Sequence, residues 1–124
     1  MPEILVCTGD QEEPSALLSL LSAERHTVEE VHSATEAIQR LLAKTFQAAI
    51  FSIPFRGIDA LETLALIRQI APSLPIIVLA EKDSLEIQRK VRQEKIFYYL
   101  IKPIDREELH DVLQAAIERG SKKR

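Results

Sequence analysis

Apolar residues fall in five short runs, separated by segments of a different period. The runs are Ile4-Leu5-Val6-Cys7, the mixed stretch Thr27 to Val31, Ala48-Ala49-Ile50-Phe51, Ile76-Ile77-Val78-Leu79 and Phe97-Tyr98-Tyr99-Leu100-Ile101. Four are near-continuous rather than alternating, which suits strands covered on both faces. The second is polar enough for a sheet edge. Between the runs, apolar positions recur every three or four residues, the spacing of one helix face. Such sets are Leu17, Leu18, Leu20 and Leu21; Ala34, Ala37, Ile38, Leu41 and Leu42; Leu61, Leu64, Ala65 and Ile67; Ile87 and Val91; and Leu109, Val112, Leu113, Ala116 and Ile117.

Helix starts are marked by a short polar residue with an acid three positions on. Ser33 precedes Glu36, Asp59 precedes Glu62, Asp83 precedes Glu86 and Asp105 precedes Glu108. The first residue can accept from free N–H groups, and the acid complements the helix dipole. Pro14 suits a first helical turn. Pro72 and Pro75 interrupt the chain before the fourth run. Gly120 is placed to end the last helix. The expected fold is α/β: a (βα)5 doubly wound, parallel five-stranded sheet with right-handed crossovers and helices on both faces.

Length and composition narrow this further. The 124 residues suit one domain, read as 1–120, with 121–124 as a basic tail or the start of a linker. Hydrophobic residues make up 46% and charged residues 28%, as in a soluble protein. The lone Cys7 excludes an internal disulfide and, within an apolar run, reads as a buried, inert thiol. No apolar stretch reaches the roughly 18 residues of a membrane span and no signal peptide precedes the first strand. The expectation is a cytoplasmic protein without membrane contact. Net charge is −3; without Arg119, Lys122, Lys123 and Arg124 the body holds 12 basic and 19 acidic residues. An acidic body argues against direct nucleic-acid binding. The basic tail reads as a solvated terminus.

Ligands of doubly wound sheets bind beyond the carboxyl ends of the strands. Those ends are Thr8-Gly9-Asp10, Ser52-Ile53-Pro54, Ala80-Glu81 and Lys102-Pro103. A phosphate-cradling glycine-rich loop is lacking after the first strand, where Thr8-Gly9-Asp10-Gln11 has one glycine, so a nucleotide- or flavin-binding enzyme is disfavoured. No cofactor is expected.

Over nearly its whole length the chain resembles response-regulator receiver domains, which have a flavodoxin-like, CheY-like fold. The matching stretches are Glu3 to Asp10, Gly57-Ile58-Asp59-Ala60-Leu61-Glu62, Pro75 to Ala80 and Tyr99-Leu100-Ile101-Lys102-Pro103-Ile104-Asp105. The resemblance implies a magnesium-binding acidic pair after strand one and a phosphoacceptor aspartate after strand three. It also implies a Thr or Ser after strand four and a lysine after strand five. By position these fall on Thr8 and Gly9, on Ser52, on Ala80 and on Lys102. Only the lysine is kept.

The resemblance therefore implies a degenerate member, a pseudo-receiver without catalysis or bound metal, working by protein–protein interaction in a bacterial two-component pathway. Alternatives are phosphorylation at a non-standard acceptor, and a role as the N-terminal regulatory domain of a larger transcriptional regulator or kinase. Asp10 could reach a cation or be a solvated loop acid; Asp59 could accept phosphate or cap a helix. Arg56 replaces a proline common in the family's loop. Lys102 either binds an anion or hydrogen-bonds to Ser52 and loop carbonyls. Pro103 follows it, and the family commonly has a cis bond there. Tyr99 stands where the family keeps its aromatic switch, and is otherwise a half-buried strand tyrosine. The family's usual partner or dimer face, made by the fourth helix, fifth strand and fifth helix, carries Arg89 and Arg92 opposite Glu107 and Asp111. Opposite charges there suit a homodimer or a related protein partner.

Overall fold

A computed structural model describes residues 2–8, 26–52, 60–80, 89, 93, 96–101 and 104–122, the side chains of 60, 61 and 120–122 excepted. Strands β1 (Glu3–Thr8), β2 (Thr27–Val31), β3 (Ala48–Ser52), β4 (Ile76–Ala80) and β5 (Tyr98–Ile101) form one sheet in the order β2-β1-β3-β4-β5. All four neighbouring pairs are parallel. The described helices are α1 (Ala34–Ala43), α2 (Ala60–Ile70) and α3 (Arg106–Lys122). The expected first helix and the body of the expected fourth lie outside the described residues, although Arg89 and Gln93 are helical and exposed.

Strand alternation sorts the core into two layers. Leu5, Cys7, Ala49, Phe51, Val78 and Ala80 pack on one face with Ala37 of α1 and Leu64 and Ile67 of α2. Ile4, Val6, Ile50, Ile77 and Leu79 pack on the other with Leu109, Leu113 and Ala116 of α3. The continuous apolar runs are continuous because both faces are covered.

Two predicted caps form. Ser33 is extended (φ −150°, ψ 161°) and its hydroxyl accepts from the Glu36 N–H at 3.2 Å. The Glu36 carboxylate accepts from the His32 N–H at 2.8 Å, one residue before the usual capping-box partner. Asp105 Oδ1 accepts from the N–H groups of Glu107 (2.8 Å) and Glu108 (3.2 Å). The residues Asp59, Asp83 and Glu86 of the other two predicted starts, and Pro14, lie outside the described residues.

Three expectations need correction. The fifth run is not covered on both faces: β5 is an edge strand, and Tyr98 (43%) and Ile101 (42%) are exposed. Leu42 does not join the buried face of α1; it is 69% exposed, one position past the stripe that ends at Leu41. Gly120 does not end the last helix, which continues to Lys122. A glycine inside a helix costs only about 1 kcal/mol relative to alanine, and the last turn tolerates it.

An ion network ties α1 to the sheet edge. The Glu29 carboxylate accepts from Arg40 Nε (2.7 Å), Arg40 Nη2 (3.2 Å) and Lys44 Nζ (2.7 Å), and Lys44 also pairs with Glu3. The Arg40 hydrogen bonds first, then that from Lys44, pull the Glu29 carboxyl down to about 2, and both cations are shifted up. A depressed carboxyl contributes stability above its unfolded value of 4.5 and loses it as pH falls toward 2. The partners are partly exposed, so solvent screening keeps that contribution small. In urea titrations Glu29→Gln is expected to be less stable than the parent at neutral pH, with the gap closing between pH 4.5 and 2.

Candidate functional site

The strand order reverses between β1 and β3. From β1 the chain moves outward to β2, then crosses back to β3 on the other side. The crevice of a doubly wound sheet opens at that reversal, at the carboxyl ends of these two strands. Thr8 and Ser52 occupy those ends and are partners in the β1–β3 register. They share a face by alternation with Val6 and Ile50 and are nearly buried, at 1% and 4% exposure. Ser52 is level with Leu79, so Ala80 stands one residue further along the rim, opposite Ile101.

Of the residues singled out by sequence, the structure pairs Thr8 with Ser52 and places Ala80 at the same carboxyl edge but in the opposite core layer. Gly9, Lys102, Asp10, Asp59, Arg56, Pro103 and Arg92 lie outside the described residues. Tyr99 is partly buried, level with Val78, and packs on the same core layer as Ala80. Arg89, Glu107 and Asp111 are exposed.

The sequence reading missed His32, which lies beside the rim. Its Nδ1 is 3.4 Å from Thr8 Oγ1 and its Nε2 is 3.5 Å from Glu30 Oε2. The signal was available: His32 immediately follows the last residue of β2, so it emerges at the same carboxyl edge as Thr8. Hydroxyl, imidazole and carboxylate form a line, which orients the ring. Cys7, one residue earlier, is fully buried and its Sγ lies 3.7 Å from the Ser33 carbonyl oxygen. Burial first, and the nearby Glu36 charge second, push its thiol up to about 12, so it stays protonated and inert as expected. Among the described residues no three His, Cys, Asp or Glu side chains are grouped to hold a metal ion. No described helix is long and apolar enough to cross a membrane.

A five-stranded parallel sheet of this order, with its crevice between β1 and β3, defines a doubly wound α/β domain of the flavodoxin-like type. Residues 4–114 match the response regulator receiver domain, and the chain belongs to that family. It is similar to the transcriptional regulatory protein ZraR of Salmonella typhimurium, with 26% identity over 115 residues, 93% of this chain and 26% of that protein. The chain thus spans about a quarter of the length of that relative. Among solved structures, the signal receiver domain of an HD domain-containing protein from Pseudomonas fluorescens Pf-5 is 30% identical. That match has a TM-score of 0.91 and covers 98% of this chain and 90% of that one. A CheY-like receiver domain protein from Methanospirillum hungatei JF-1 also gives a TM-score of 0.91, at 20% identity, covering 100% of this chain and 99% of that one, and shares the fold.

Proposed function

We propose that this receiver domain signals without being phosphorylated, as a pseudo-receiver that acts through protein contacts. One observation carries the reading: the carboxyl ends of β1, β3 and β4 present Thr8, Ser52 and Ala80, none of which has a carboxylate. Magnesium takes carboxylate and water oxygens in near-octahedral geometry. Two hydroxyls, from Thr8 and Ser52, and a methyl, from Ala80, do not supply it. Glu30 and Glu36, on the strand and helix that flank His32, are engaged with that residue. A serine hydroxyl also cannot form an acyl phosphate, the species an aspartate acceptor would give.

In this reading, the loss of the hydroxyl at Ala80 removes the lever that would couple a phosphoryl group to Tyr99. The ring then keeps one position on the core layer it shares with Ala80, and the output face is permanently set. Exposed Arg89 and exposed Glu107 and Asp111 supply that face with opposite charges, and the edge strand β5 adds Tyr98 and Ile101. The partner is a protein or a second copy of the chain. The similarity to a transcriptional regulator about four times as long favours a regulatory domain within a larger cytoplasmic regulator as the setting for this role.

Incubation with radiolabelled acetyl phosphate and magnesium tests the proposal. The expected result is no stoichiometric label, and no amide shifts at Ser52 or Ala80 when beryllofluoride and magnesium are added. A one-to-one, base-labile label would overturn it in favour of an unusual acceptor.

A further inference from the structure

A cleft of about 330 Å³ opens at the opposite edge of the sheet, where β4 and β5 begin. Its walls include Arg68, Ser73, Leu74, Pro75, Phe97 and Arg119. That volume is at the lower end of the range for small-molecule sites. Arg68 comes from the last turn of α2 and Arg119 from the last turns of α3. The two guanidinium groups therefore reach one cleft from different helices.

Each guanidinium is held in place by a neutral group. Arg68 Nη1 donates to the Pro72 carbonyl at 3.2 Å. The Arg119 guanidinium lies over the Phe97 ring, 5.7 Å from its centroid. A carbonyl and an aromatic face orient a guanidinium without cancelling its charge. Arg40 and Lys44 are different, because Glu29 and Glu3 neutralise them. Among the described residues no carboxylate pairs with Arg68 or Arg119, although acidic residues outnumber basic ones in the chain, 19 to 16. Each keeps further N–H donors in the fork geometry that matches a tetrahedral oxyanion.

We propose that this cleft binds the phosphoryl group of a small molecule, at a site separate from the carboxyl rim. Two preoriented forks grip the oxygens, and the proline and phenylalanine walls limit what is attached to them. The turn at Pro72 and Ser73 fixes the distance between α2 and β4, because the Leu74 N–H donates to the Ala71 carbonyl at 3.1 Å.

The test is an NMR titration of the whole chain with inorganic phosphate, and separately with adenosine monophosphate, at ionic strength held constant with potassium chloride. The expected result is saturable shifts at the Leu74 and Phe97 amides and at the Arg68 and Arg119 side chains. Arg68→Gln and Arg119→Gln should each weaken binding roughly tenfold or more. Arg106→Gln, at the far end of α3, should leave binding unchanged. Arg68→Lys and Arg119→Lys keep the charge and serve if a glutamine variant is poorly folded; each should still lose affinity, because a lysine lacks the fork. Tighter binding of the nucleotide than of phosphate would place a base or sugar in the same cleft, and equal binding would limit recognition to the phosphoryl group. Shifts spread evenly over the surface, or equal weakening by Arg106→Gln, would overturn the proposal.

Discussion

Phe51→Ala is expected to be the most damaging single truncation in the described core, lowering stability by about 3–5 kcal/mol. Phe51 is fully buried in the central strand β3, between β1 and β4. It packs in the layer that joins the sheet to α1 and α2, with Leu64 and Ile67 against it. Its neighbours in that layer come from several elements, so they cannot all move in to fill the space left by the ring. Domains of this size have only about 5–15 kcal/mol of total stability, so the loss is a large fraction of it. The midpoint of thermal unfolding should fall by roughly 10–20 °C. Leu42→Ala provides the contrast. At 69% exposure it should stay within about 0.5 kcal/mol of the parent. Urea unfolding of both variants checks the pair. A Phe51→Ala loss below about 1 kcal/mol would mean that the two-layer packing is wrong.

The contrast between those two leucine- and phenylalanine-bearing positions also marks what could be read from sequence. Short apolar runs between segments of helical period are a strong signal, and they located all five strands to within one residue at each end. The β2 edge was legible because Glu29 and Glu30 interrupt its apolar pattern. The β5 edge was not, because Phe97-Tyr98-Tyr99-Leu100-Ile101 looks like a buried strand; only the strand order exposes Tyr98 and Ile101. Leu42 misled for a related reason: apolar character does not distinguish the centre of a helical stripe from its margin. At the rim, strand ends placed Thr8, Ser52 and Ala80 on one edge, but strand ends cannot give register. The pairing of Thr8 with Ser52, and the approach of His32 to Thr8, depend on hydrogen bonding between strands that are far apart in sequence. The cleft with Arg68 and Arg119 was invisible for the same reason. Its residues come from two helices, a turn and the start of a strand, and Arg119 read simply as part of a solvated basic tail.

If the domain is a pseudo-receiver, as proposed above, refilling the rim should create phosphoryl uptake where the parent shows none. In the variant Thr8→Asp, Gly9→Asp, Ser52→Asp and Ala80→Thr, magnesium is expected to stabilise the fold and acetyl phosphate to label it stoichiometrically. The physical reason is the register: Thr8 and Ser52 are partners on adjacent strands, which run about 4.8 Å apart. Carboxylates at these positions, with 1% and 4% exposure in the parent, repel each other by roughly 3.5 kcal/mol at an effective dielectric near 20. Burial and mutual repulsion raise their pKa values, so the deficit should appear as pH rises above about 4 and grow toward neutrality. A divalent cation converts that repulsion into ligation. At a hundredfold excess over its dissociation constant it restores about 2.7 kcal/mol. Ser52→Asp alone has an acceptor but no cation site, and should not be labelled. The parent's thermal midpoint should not respond to magnesium. Calorimetry with and without magnesium, followed by labelling, separates the outcomes. A parent stabilised by magnesium as much as the four-position variant would show that the rim already holds a cation, and the pseudo-receiver reading would fail. A folded four-position variant that takes up neither ion nor phosphoryl group would show that Thr8, Gly9, Ser52 and Ala80 do not occupy the positions assigned to them.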